Sequence, residues 1–214
     1  MDTQKLNDIN NTAYQGIAEV FNDMTTRPKE VLDRLDLLVD GLSKDDLVLD
    51  LGSGPGWYTD YLSRRVHAVG IDVSPDFIRV AKKVYPDCDF RLGDLRKLDF
   101  PDGSVSGLAV IASLLHIPKV EAPVVLGEFR RVLKPQSKAV FLMKLPDDNY
   151  SGDGFETRIR AGKELTRFFS RYSEDKFLEL LTANQFKTLE HEIFHFTPED
   201  PEPWLISLAE VQNG

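Results

Sequence analysis

Cysteine is nearly absent from this chain: Cys88 is the only one in 214 residues. One thiol cannot close an intramolecular disulfide, so packing must hold the fold, and a reducing, cytoplasmic setting is expected. Cys88 falls in an expected strand region and reads as a packing residue. Long apolar runs are also missing. None approaches the roughly 20 residues that span a bilayer, and Met1-Asp2-Thr3-Gln4-Lys5 has no apolar stretch to serve as a signal peptide. Positive charge is in deficit: 26 Lys and Arg against 35 Asp and Glu leave a net charge of −9. That balance argues against a nucleic-acid backbone binder, which needs clustered cations. Lys82-Lys83 and Arg130-Arg131 come nearest to a basic cluster, and both fall in amphipathic helices, where a solvated face explains them. No group of Asp, His and Cys at ligand spacing suggests a metal, so none is expected.

What is present is ordinary for one globular domain with a substantial core: 42% hydrophobic and 29% charged residues. Helical spacing predicts a helix over 11–24 and a second from Pro28 to about Leu42, entered through Thr26-Arg27-Pro28. Apolar strands are then expected at 47–51, 68–72, 89–92, 108–112 and 139–144. Helices alternate with them at about 56–65, after Ser74-Pro75-Asp76, and at 121–133. Strict alternation with apolar strands implies a mostly parallel, doubly wound α/β sheet covered on both faces. Residues 151–171 read as a mostly helical insertion, followed by a helix over Ser173–Leu181. Two closing strands, about 186–196 and 204–211, are expected to pair antiparallel at one edge.

The most specific stretch is Val48-Leu49-Asp50-Leu51-Gly52-Ser53-Gly54-Pro55-Gly56. An apolar strand ends there in three alternate glycines, whose missing Cβ atoms let a ligand approach the backbone. Ligands of such sheets sit beyond the carboxyl ends of the strands. Asp72 ends the second strand, 20 residues after Gly52, where a carboxylate can accept from both hydroxyls of a ribose; a helix-capping acid near Ser74 is the plainer alternative. A dinucleotide loop spaces its glycines Gly-x-Gly-x-x-Gly. Here the third comes one residue early and Trp57 fills the dinucleotide position.

With Gly93-Asp94-Leu95 after the third strand, Ala112-Ser113-Leu114-Leu115-His116 after the fourth and Leu133-Lys134-Pro135 before the fifth, residues 47–145 resemble class I S-adenosylmethionine-dependent methyltransferases. The nearest group is the small-molecule one that includes the ubiquinone and menaquinone C-methyltransferases. The resemblance implies a Rossmann-like sheet with an antiparallel C-terminal edge strand, and S-adenosylmethionine as cofactor with S-adenosylhomocysteine as product. It implies that Gly52, Ser53, Gly54 and Gly56 line the methionine moiety while Asp50 orients its ammonium end, directly or through water. Asp72 and Val73 would hold the ribose, Asp94 and Leu95 would read adenine, and Ala112 would lie beside the reactive end. Tyr14 matches an N-terminal aromatic that closes over the cofactor in related enzymes, a core role being the alternative. Gln136-Ser137 replaces a usual glycine pair, and Asn184 replaces a glycine at a helix end, where asparagine tolerates a left-handed cap.

The organisation expected is one domain over 1–214: an N-terminal helical cap (1–46), a cofactor core (47–145), a helical insertion on the acceptor side (146–172), and a helix with a strand pair (173–214). A sulfonium methyl is already activated, so the chief task is holding the acceptor in line. Of four histidines, only His116 lies just past a central strand's carboxyl end, as a base, a substrate contact or a packing residue. His67 falls at the opposite pole, and His191 and His195 on the edge strand. Arg158, Arg167 and Phe168 offer cations and an aromatic face to an acidic small-molecule acceptor, or else belong to an amphipathic helix. The fourth strand lacks the Asn/Asp-Pro-Pro-Tyr/Phe sequence of base methylases, so a nucleic-acid partner is not expected. Rival readings are a non-catalytic or regulatory binder of the same cofactor and, less favoured, a nicotinamide oxidoreductase.

Overall fold

The computed structural model describes residues 3–15, 17–24, 26–147, 150–197 and 202–212, apart from the side chains of residues 3, 4, 7, 22–24 and 160. Seven strands form one sheet in the order β3-β2-β1-β4-β5-β9-β8. They are β1 (Leu47–Leu51), β2 (His67–Asp72), β3 (Asp89–Leu92), β4 (Val105–Ile111), β5 (Leu133–Lys144), β8 (Phe186–Phe194) and β9 (Trp204–Val211). The first five run parallel, and β9 pairs antiparallel with both β5 and β8. The strands expected at the C-terminus thus pair as their sequence suggests. From β1 the chain winds outward to β2 and β3, then returns to β4 on β1's other side. That reversal opens a crevice at the carboxyl ends of β1 and β4, where an α/β sheet receives its ligand.

Both faces of the sheet are covered. Val125, Leu126 and Phe129 of α6 (Ala122–Val132) and Phe177 and Leu181 of α7 (Glu174–Ala183) pack on one face. Val31, Leu35 and Leu38 of α3 (Lys29–Leu38) and Leu62 of α4 (Trp57–Ser63) pack on the other. Each fully buried side chain of this size contributes about 1.5–3 kcal/mol. In α5 (Pro75–Val84), Ser74 accepts the Phe77 N–H as N-cap, Pro75 and Asp76 occupy the first turn, and Lys82 and Lys83 the last. Caps and charges thus complement the helix dipole at both ends.

Several boundaries differ from expectation. The N-terminal helical segment is two helices, α1 (Thr3–Gln15) and α2 (Ala18–Met24). Pro28 caps α3 instead of opening it, because its carbonyl takes the first-turn bonds from Val31 and Leu32. At the end of α7 the left-handed residue is Gln185 (φ 64°), not Asn184, which caps with its side-chain amide on the Leu180 carbonyl.

The largest correction concerns 146–172. Its described residues form no helix but a β-hairpin, β6 (Gly152–Arg160) with β7 (Lys163–Arg171), a separate two-stranded sheet. Phe155, Thr157 and Ile159 alternate with Glu156 and Arg158, which is strand period. The two-residue turn Ala161-Gly162 has positive φ at both positions (49° and 73°), as a tight hairpin requires.

Candidate functional site

A cleft of about 610 Å³ opens at the switch point, within the size range of small-molecule sites. Its floor is the turn after β1. Gly52 and Ser53 N–H both donate to the Ile71 carbonyl, at 2.7 and 3.0 Å. Gly52 has φ 77°, and a Cβ there would lie 2.2 Å from the Ser113 Cβ, so only glycine lets the β1 turn meet the end of β4. Ser113 Oγ–H locks that approach by donating to the Leu51 carbonyl at 2.6 Å. Gly54 lines the cleft and faces open space.

Gly56 is different. At φ 95° its Cβ would meet the Phe90 ring at 2.5 Å, and it does not border the cleft. The third glycine therefore lets α4 settle on β3, the packing role that a dinucleotide loop gives to its last glycine. Trp57 and Tyr58, which follow it, line the cleft.

The three strand-end acids occupy unlike environments. The Asp72 carboxylate accepts from Gly54 N–H and Ser74 N–H, each at 2.8 Å, and lines the cleft. Burial pushes its pKa up to about 6 against the pull of these backbone donors. It both caps the next turn and faces the cleft. Asp50 lies beneath the turn, off the cleft wall; it is 1% exposed, accepts from Thr59 Oγ1 at 2.6 Å, and burial lifts its pKa to about 7. It braces α4 against β1, and the expected contact with a ligand's ammonium end has no direct basis in this geometry. Asp94 lines the cleft with Leu95, its two oxygens engaged by Arg96 N–H (2.9 Å) and the Arg96 guanidinium (2.8 Å).

Tyr14 of α1 also lines the cleft. Its hydroxyl lies 3.0 Å from His116 Nε2. His116 Nδ1 lies 2.7 Å from the Phe168 carbonyl, which can only accept, so the proton sits on Nδ1 and Nε2 accepts from Tyr14. Burial, with the nearby Arg167 and Lys144 cations, lowers the His116 pKa to about 4, so the ring is neutral near pH 7. Val73 and Ala112 also border the cleft, the latter held at φ 53°, a strained value for a non-glycine residue. His67 begins β2 at the far pole, and His191 pairs with Glu174 at 3.0 Å.

The hairpin closes the remaining side, with Arg158 and Arg167 in the wall. Phe168 is not there: its ring packs on Phe155, and its backbone N–H and carbonyl serve Asn10 and His116, while the neighbouring Phe169 lines the cleft. Glu156, fully buried, pairs with Lys144 (3.1 Å), Arg158 and Arg171; Glu202 pairs with Lys144 and Arg158. Burial raises the Glu156 pKa, but these cations outweigh it and hold the carboxyl below its usual range. Lys144, Glu202 and Trp204 are cleft residues that sequence reasoning missed. A lysine closing an apolar strand at its carboxyl end was the available signal.

Residues 48–136 match the family described as methyltransferase domain. That stretch is under half of the chain. Over 179 residues the chain is 30% identical to sterol 24-C-methyltransferase of Neurospora crassa, covering 79% of this chain and 46% of that protein. It is 33% identical over 130 residues to demethylmenaquinone methyltransferase of Paenarthrobacter aurescens, covering 59% and 49% respectively. The chain thus spans about half the length of these curated relatives. In fold it is similar to Burkholderia thailandensis 1,6-didemethyltoxoflavin-N1-methyltransferase, solved with 1,6-didemethyltoxoflavin and S-adenosylhomocysteine (TM-score 0.75, 16% identity, 100% of this chain and 92% of that one). The [4+2]-cyclase SpnF shares the fold too (TM-score 0.65, 19% identity, 84% and 80%). Outside the matched domain lie α1 and the hairpin, which supply Tyr14, Arg158 and Arg167 to the cleft.

Proposed function

We propose that this chain binds S-adenosylmethionine in the cleft and transfers its methyl group to a small-molecule acceptor. The observation that carries the reading is Asp72. Each of its oxygens accepts one backbone N–H, and each keeps a further lone pair, so the pair can accept from two vicinal hydroxyls on the cleft side. The remaining residues fit the same group. Gly54 faces open space, and Ser53 Oγ is buried without a hydrogen-bond partner among the described residues. Asp72 and Val73 would hold the ribose, Asp94 and Leu95 would border the adenine, and Gly52, Ser53 and Gly54 the methionine portion, with Ala112 beside the reactive end.

When bound, the cofactor supplies an activated sulfonium methyl, so no protein nucleophile is required. The chain's part is orientation, which is worth effective molarities of about 10⁵–10⁸ M in well-aligned pairs. Tyr14 covers the cleft, and His116 holds the Tyr14 hydroxyl through Nε2 instead of serving as a free base. No helix among the described residues is long and apolar enough to cross a membrane, and the lone Cys88 supports a cytoplasmic reading. Because SpnF puts the same fold to cyclisation, fold does not settle the reaction. Incubating the chain with methyl-labelled S-adenosylmethionine and a panel of small metabolites tests it: label in one product supports the proposal. Tight cofactor binding with no transfer to any of them favours a non-catalytic binder.

A further inference from the structure

Lys144 at the end of β5, the hairpin's Arg158 and Arg167, and Trp204 at the start of β9 line part of the cleft. Lys144, Arg158 and Arg171 meet Glu156 and Glu202 here, with Arg167 close by over Phe169: four cations to two carboxylates in this group. This surplus sits in a chain whose net charge is −9. Lys144, Arg158 and Arg171 each pair with both carboxylates.

Arg167 stands apart. It makes no ion pair with any described residue. Its guanidinium lies over the Tyr14 and Phe169 rings, at 5.6 and 5.0 Å, and Nη1 donates to Tyr14 Oη at 3.3 Å. Its Nε–H is buried with no hydrogen-bond partner, and so is the indole Nε1–H of Trp204. Lys144 Nζ ties the two together, 5.1 Å over Phe169 and 5.9 Å over Trp204. Both orphan groups are donors that cannot accept. Both donors are buried, so what the cleft wall presents is the Arg167 cation, without an ion-pair partner among the described residues, and an anionic ligand supplies the missing charge. With Nη1 donating to Tyr14, the rest of the planar, always-charged guanidinium is left to pair with a carboxylate.

We infer that the methyl acceptor bears a carboxylate, and that Arg167 binds it. The inference rests on reading the cleft as a methyl-transfer site. It selects Arg167 over Arg158, which is already held by both Glu156 and Glu202.

The test uses the full chain, first titrated with S-adenosylhomocysteine by calorimetry and then held saturated with it. Benzoate, 4-hydroxybenzoate and indole-3-acetate are each compared with their carboxamides and with phenyl phosphate by saturation-transfer NMR and competition. The expected result is carboxylate binding at least tenfold tighter than the paired amide. Arg167→Gln should reduce that ratio to below threefold, and Arg167→Lys should keep part of it. Equal binding of acid and amide, no carboxylate binding, a preference for phenyl phosphate, or an unchanged ratio in Arg167→Gln would overturn the inference. Failure of S-adenosylhomocysteine to bind at all would overturn the cofactor reading as well, so the two failures are told apart in the first titration.

Discussion

Replacing Asp72 by asparagine keeps the side chain's shape and removes its charge and one of its two acceptor atoms. In the cofactor-free protein one of the N–H groups of Gly54 and Ser74, both now bonded at 2.8 Å, would face an NH₂ group. In the complex, one charge-assisted bond to a ribose hydroxyl is lost, about 1.5–3 kcal/mol, and the other weakens to a neutral bond, about 1 kcal/mol more. The sum, about 2.5–4 kcal/mol, is two to three decades in Kd. Calorimetry with S-adenosylhomocysteine reads it directly, with a thermal melt showing that the variant still folds. The pH dependence gives a second reading. Burial raises the Asp72 pKa from 3.8 to about 6 in the free protein, and the hydroxyls need the ionised form. Wild-type affinity should therefore fall toward tenfold per unit as pH drops below about 6. Cofactor-free stability runs the opposite way: a folded-state pKa above the unfolded one contributes most below pH 3.8 and is lost as pH rises through about 6. A Kd within threefold of wild type in Asp72→Asn, or a flat wild-type affinity between pH 5 and 7, would refute the assignment of Asp72.

Gly56→Ala should destabilise the fold by about 2–4 kcal/mol, since its methyl would strike Phe90 at 2.5 Å in a left-handed backbone; a melting temperature within 2–3 °C of wild type would contradict that role. Glu156→Ala leaves Lys144, Arg158 and Arg171 without a fully buried partner and should cost about 3–5 kcal/mol by denaturant unfolding. His116→Ala frees the Tyr14 hydroxyl and should weaken cofactor affinity by about tenfold at constant fold, as expected for one lost hydrogen bond at a closing residue; unchanged affinity would release His116 from its part in holding Tyr14.

The parallel strands and the glycine turn were legible because they are governed by strong local rules. Buried parallel strands read as apolar runs, and a strand leaving through glycine has few alternatives. The acids at strand ends were legible as to place, but not as to exposure: nothing local distinguishes Asp50, tied under the turn by Thr59, from Asp72, which faces the cleft. Gly56 and Gly52 look alike in the sequence, yet one answers to Phe90 and the other to Ser113, both far along the chain. The hairpin was misread for a physical reason. Its Glu156 and Arg158 turn into a buried or half-buried ion cluster, so the strand's period-two signal is carried by charges where an apolar face would be sought. Lys144 and Glu202 complete that cluster from 58 residues apart, a pairing that only the β5–β9 register brings about.

The central claim, that the cleft at the β1–β4 switch point holds S-adenosylmethionine, is tested most directly by one calorimetric comparison. The chain is titrated with S-adenosylmethionine, S-adenosylhomocysteine and NAD under identical conditions. Saturable one-to-one binding of both sulfur compounds, with NAD at least a hundredfold weaker, is the predicted result. Binding of NAD as tight as or tighter than either would contradict it.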